Sequence, residues 1–232
     1  MIVIPNFVPE SALALVPDAR MHSRPYFLFV GRLEKLKGVE TLLPVFDRYP
    51  DADLLIAGAG KYGGELRRRT KDIKNVHFLG AVPHEQLGSL YRKAIALLLP
   101  SAGYEVFPLV ILEAHQQGTP VIAHHVGGLP EIIEQSGGGF LYQTPEDMLV
   151  AMEQLQTDPD LRQKLGEQGY QAYRRNWSEE AHLNAYFRVL EETALQKLGV
   201  VPWNETVRTS LQFPDSAGHI APSAAKAHHR FE

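Results

Sequence analysis

The chain has 232 residues, 44% hydrophobic and 22% charged, enough to bury one core with an appendage. A net charge of -4 gives no electrostatic reason to expect nucleic acid or an anionic membrane as a partner, and zero cysteines exclude disulfides and thiolate metal sites. No apolar run approaches the roughly 20 residues of a membrane span, and the first residues lack the basic region, apolar stretch and cleavage site of a signal peptide, so a cytoplasmic protein without a transmembrane segment is expected.

Apolar patterning predicts strands over 26–31, 53–57, 76–79, 95–99, 121–123 and 139–142. Helices are expected between them, over 38–49, 64–71, 84–93, 109–117 and 130–135. Six strands joined by helical crossovers mean an α/β fold with a doubly wound, Rossmann-like parallel sheet. Beyond residue 142 three helices follow, over 145–156, 159–176 and 178–198, the last opened by a Ser178 N-cap with Glu179 and Glu180 in its first turn. From residue 199 onward prolines, alanines, serines and histidines replace the periodic pattern, and a flexible tail is expected over 199–232.

The most informative run is Pro100-Ser101-Ala102-Gly103-Tyr104-Glu105-Val106-Phe107-Pro108-Leu109-Val110-Ile111-Leu112-Glu113-Ala114. Glu105 falls in the loop at the carboxyl edge of a buried strand, where ligands bind in open α/β sheets. Pro108 suits the first turn of the next helix, whose free N–H groups attract anions. Glu113 lies a little over one turn into that helix among apolar neighbours, so it needs a polar partner. Two other clusters invite a metal assignment. Asp51-Ala52-Asp53 precedes a strand, at the end away from the ligand edge, and reads as a loop or cap. His124 and His125 are neighbours that point to opposite faces of an extended chain and read as ordinary loop residues. No metal site is expected.

The run around Glu105 and Glu113 resembles the signature of the family-4 (group 1) retaining glycosyltransferases: a proline-serine, a glutamate, seven residues and a second glutamate. Four further segments are similar to that family's motifs and occur in the same order. They are Phe29-Val30-Gly31-Arg32-Leu33-Glu34-Lys35-Leu36-Lys37-Gly38, Leu55-Ile56-Ala57-Gly58-Ala59-Gly60, Val76-His77-Phe78-Leu79-Gly80-Ala81-Val82, and Gly118-Thr119-Pro120-Val121-Ile122-Ala123 with Gly127-Gly128-Leu129-Pro130-Glu131.

The resemblance implies one half of a GT-B architecture, the C-terminal domain that binds a nucleoside-diphosphate sugar for metal-independent, configuration-retaining hexosyl transfer, with no cofactor. Residues 1–24 then look like the linker from an N-terminal acceptor-binding domain absent from this chain, and 25–198 like the donor domain. Such a chain alone should bind donor but transfer weakly. The family assigns catalysis to Arg32, Lys37 and Glu105: the two cations meet charge developing on the departing phosphate, and Glu105 meets sugar hydroxyls. Donor contacts are expected from Gly31, Gly58, Gly60, Val82, Phe107, Pro108, Leu109 and Glu113, the last on the ribose hydroxyls. Where the family has glycine-aromatic-glycine after the first glutamate, this chain has Val106-Phe107-Pro108, and Pro108 has no N–H to donate. The Gly127-Gly128 turn fits a structural role and a donor contact equally well. A non-catalytic nucleotide-sugar sensor working with a separate partner chain is the alternative, and an epimerase on the same architecture a further one. A glycosidase carboxylate pair is disfavoured, because it leaves Arg32 and Lys37 without a purpose.

Overall fold

The structure, a computed structural model, describes residues 2–10 and 22–201. It falls into two compact units, Met1–Phe187 and Arg188–Glu232, and the sheet lies wholly in the first. About half of the expected linker over 1–24, and the expected tail from residue 202 onward, lie outside the described residues. No helix among the described residues is long and apolar enough to cross a membrane.

Six strands form one sheet: β1 (Tyr26–Val30), β2 (Asp53–Ala57), β3 (Val76–Gly80), β4 (Leu97–Leu99), β5 (Val121–His124) and β6 (Gly139–Tyr142). All pairings are parallel and the order is β3-β2-β1-β4-β5-β6. The chain winds outward from β1 in one direction and from β4 in the other, so a topological switch point lies between them. The doubly wound parallel sheet expected from the sequence is therefore present.

Strands such as Tyr-Phe-Leu-Phe-Val and Leu-Leu-Leu are apolar throughout because both faces of this sheet are covered. Tyr26 and Leu28 join Leu55, Leu97 and Val121 in one core. That core is closed by α3 (His84–Lys93), α4 (Leu109–Gln116), α5 (Leu129–Ser136) and α7 (Pro159–Asn176). Phe27 and Phe29 join Leu54, Ile56 and Leu98 in the other, under α1 (Leu43–Asp47), α2 (Gly63–Arg69) and α6 (Pro145–Thr157). Each fully buried Leu, Ile or Phe among them contributes about 1.5–3 kcal/mol, so these two layers hold the strand ends in register.

Two expectations change. The helix over 38–49 is broken into a 3-10 turn at Val39–Thr41 followed by the short α1, with another 3-10 turn at Lys35–Lys37 before it. Pro44 in the first turn of α1 has no N–H and its ring would clash with a carbonyl one turn back, so a helix cannot run through from residue 38. The strand over 95–99 shortens to Leu97–Leu99, although Ile95 N–H still donates to the Tyr26 carbonyl at 2.8 Å. Ser178 behaves as expected. Its hydroxyl accepts from Ala181 N–H at 3.2 Å, immediately before α8 (Glu179–Leu198).

Candidate active site

The loops leaving β1 and β4 meet at the switch point, and glycine is what lets them. Gly38 has φ 67, and a Cβ there would lie 1.9 Å from the Pro100 carbonyl oxygen. With that contact open, Ala102 N–H and Gly103 N–H both donate to the Leu36 carbonyl, at 3.0 and 3.3 Å. The β1 loop is thereby laid across the β4 loop.

This docking puts Lys37 Nζ 2.5 Å from Glu105 Oε1, and the Ser101 hydroxyl donates to the same oxygen at 2.8 Å. Both charges are about three-quarters or more withdrawn from solvent, which strengthens the pair over one at the surface. Behind them the Gly127-Gly128 turn backs the Glu105 loop. Gly128 N–H donates to the Glu105 carbonyl at 2.9 Å, and a Cβ on Gly127 would approach Glu105 N and O to 3.0 Å. His124 steadies the same loop. It lies in β5 rather than in a loop as expected, stacks on Tyr142 and has Nδ1 2.9 Å from the Ser101 carbonyl.

Glu113 is buried in α4 with both oxygens engaged. Tyr91 donates its hydroxyl to Oε2 at 2.6 Å, and His84 Nε2 lies 3.0 Å from Oε1. The polar partner demanded by the sequence is thus supplied by α3. Burial first, and the Glu113 charge second, push the Tyr91 phenol well above its ordinary range, so it remains a donor.

Pro108 is buried and caps α4 from just outside it rather than standing in its first turn. No side chain caps this helix, which begins at Leu109. Ile111 N–H turns back to the Pro108 carbonyl at 3.1 Å, and the first amides have no side-chain cap. Phe107 turns its ring inward, edge-on to Trp177, whereas Val106 is 88% exposed.

Other expected site residues also stand at the carboxyl edge of the sheet. Arg32 directly follows Gly31 at the carboxyl edge, but its guanidinium is exposed and pairs with Glu34 at 3.0 Å, apart from the Lys37–Glu105 pair. Gly58 and Gly60 lie at the same edge, where their missing side chains make room for the protein's own chain. A Cβ on Gly58 would fall 1.8 Å from the Gly31 carbonyl oxygen, and one on Gly60 2.3 Å from that of Leu33. Val82 packs its side chain on the first core and keeps only its backbone for a ligand. Ser101, Tyr91, His84, His124 and Glu34 were not singled out from the sequence as site residues. A serine four residues before a loop glutamate is the one signal among them that local spacing carries.

A sheet wound in this order, with a cation and a carboxylate meeting at its switch point, belongs with the Rossmann-like domains of GT-B glycosyltransferases, and the solved structures it matches have that architecture. Residues 18–172 match the family described as glycosyl transferases group 1. The chain belongs to that family. Among its relatives, the D-inositol 3-phosphate glycosyltransferase of Corynebacterium jeikeium (strain K411) is 35% identical over 209 residues, which is 82% of this chain and 49% of that protein. Sucrose-phosphate synthase from Thermosynechococcus elongatus superposes with a TM-score of 0.73 at 28% identity, covering 84% of this chain and 53% of the other. The C-terminal domain of the group 1 glycosyl transferase LpcC from Francisella tularensis gives a TM-score of 0.58 at 25% identity, covering 67% of this chain and 87% of that domain. The chain spans less than half of the length of such curated relatives, from 29% to 49%.

Proposed function

We propose that this chain binds a nucleoside-diphosphate sugar in the crevice between β1 and β4 and forms the donor half of a metal-independent glycosyl transfer that retains anomeric configuration. The observation carrying this reading is the Lys37–Glu105 pair across the switch point. It offers a cation for phosphate and a carboxylate for sugar hydroxyls within one short reach. As the bond between the anomeric carbon and the phosphate oxygen breaks, the electron pair stays on phosphate. Lys37, together with Arg32 once it leaves Glu34, stabilises that charge most as it develops. The departing phosphate takes the acceptor's proton while the acceptor oxygen bonds to the same face of the sugar. Glu113, preset by Tyr91, accepts from the ribose hydroxyls.

The acceptor would be held by a second domain, a reading supported by the chain's spanning under half of its relatives' length. On this view the isolated chain binds donor and transfers weakly. Calorimetric titration of UDP, GDP and ADP into the chain, beside Arg32→Ala and Lys37→Ala, tests the site. One nucleotide should bind preferentially, with affinity at least about tenfold lower in Lys37→Ala. Equal affinity in both variants and the parent would refute the assignment.

A further inference from the structure

At the opposite, amino end of the sheet, three side chains far apart in sequence converge. His22 precedes β1, Asp53 opens β2 and His77 is the second residue of β3. Pairing explains the meeting. His77 lies beside Leu55 in register, and Asp53, two residues before Leu55, shares its face of the sheet. His22 Nε2 is 2.7 Å from Asp53 Oδ2, and His77 Nε2 is 3.1 Å from the same oxygen. All three donor atoms lie within 4.8 Å of one another.

Asp53 is therefore no loop or cap residue. It is 3% exposed, an unusual setting for a carboxylate. Among the described residues its second oxygen, Oδ1, is buried without a hydrogen bond and faces Arg24 Nε at 3.4 Å. A buried carboxylate so incompletely satisfied is costly unless a further positive group completes it.

We propose that His22, Asp53 and His77 bind a zinc ion. Two imidazole nitrogens and one carboxylate oxygen are a donor set that suits zinc and not magnesium or calcium, which take oxygen ligands. Bonds of about 2.0–2.2 Å in a tetrahedral arrangement place neighbouring donors about 3.3 Å apart, so the two nitrogen–oxygen separations of 2.7 and 3.1 Å widen on binding. Each Nε2–H that now points at Oδ2 moves to Nδ1 as the ring changes tautomer, which frees Nε2 for the metal without changing the ring's charge. Arg24 then serves as the outer partner that orients the carboxylate. The ion would pin the segment before β1 to the amino ends of β2 and β3, a structural task at the far end of the strands from the crevice.

The test is Co2+ and Zn2+ titration of the full chain, alongside His22→Ala and His77→Ala. His77 is partly exposed, so its variant should fold. One equivalent of Co2+ should give the visible absorption of a four-coordinate site, weakened at least about tenfold in each variant. Zn2+ should raise the Tm of the parent chain and of neither variant. Nucleotide affinity should be the same with and without Zn2+, which separates this site from the donor site. Cobalt or zinc binding that persists in both variants, as adventitious capture by His228 and His229 would, overturns the proposal. So does absence of binding in the folded parent, which would leave the cluster a hydrogen-bonded ion group.

Discussion

Glu105 and Lys37 neutralise each other across the crevice. A phosphate arriving there must draw Lys37 away from a partly buried partner, so the pair opposes ligand binding before it helps. Glu105→Gln keeps the shape and the Ser101 contact but releases the cation. A nucleoside diphosphate without sugar should then bind about threefold to tenfold more tightly by calorimetry, while the nucleotide sugar gains less because a carboxylate for its hydroxyls is lost. Equal tightening for both would mean that Glu105 does not meet the sugar. At this scale the sequence is informative about demand and silent about supply. An apolar helix around Glu113 says that a partner must exist. That Tyr91 and His84 provide it depends on α3 lying beside α4, at separations of 22 and 29 residues that no local pattern encodes.

Two glycines separate steric need from simple permissiveness. Gly38 holds the docking of the β1 loop on Pro100, and a Cβ would meet carbonyl oxygen at 1.9 Å with φ at 67. Gly64, inside α2, has nothing within 4 Å of its added Cβ. Gly38→Ala should therefore destabilise the chain by about 2 kcal/mol or more and weaken nucleotide binding with it. Gly64→Ala should stabilise by about 0.5–1 kcal/mol. Urea unfolding of both variants checks the contrast. Regular elements were the legible part of the fold. Strand 53–57 and helices 84–93 and 159–176 coincide with their apolar periods, because burial on a sheet face or helix stripe writes itself into spacing. The segment 38–49 was misjudged because its apolar residues recur at helical spacing while Pro44 interrupts the hydrogen bonds that a helix needs.

At the scale of the whole molecule, stability should depend on a histidine the ligand never sees. His115 in α4 is fully buried, stacked on Trp177, with Nε2 3.1 Å from the Ser136 hydroxyl. Burial pulls it from the ordinary 6.5 down to about 4, against a smaller upward pull from the Thr119 backbone. Between those values the unfolded chain holds a proton that the native chain refuses. Stability is therefore complete above about pH 6.5 and falls as pH drops toward 4, by about 3 kcal/mol. Urea melts at pH 7, 5.5 and 4.5 should show this decline, and His115→Leu should flatten it whatever its absolute stability. The sequence held no sign of the effect. A histidine within an apolar helix is ambiguous until Gly138 and Gly169 are seen to close against its ring.

The seam between β1 and β4 has a consequence for how the protein comes into being. Residues 37 and 105 stand 68 positions apart, and β1 and β4 meet through the Leu28–Leu97 pair and the Ile95 N–H bond to the Tyr26 carbonyl. Closing so long a loop costs entropy before any contact repays it. A ribosome that has made only β1 to β3 has produced Lys37 but not Glu105, the carboxylate that faces it across the seam. On the function proposed above, nucleotide recognition has to wait until β4 and the loop after it are made, and its appearance would date the moment when the two halves of the sheet join.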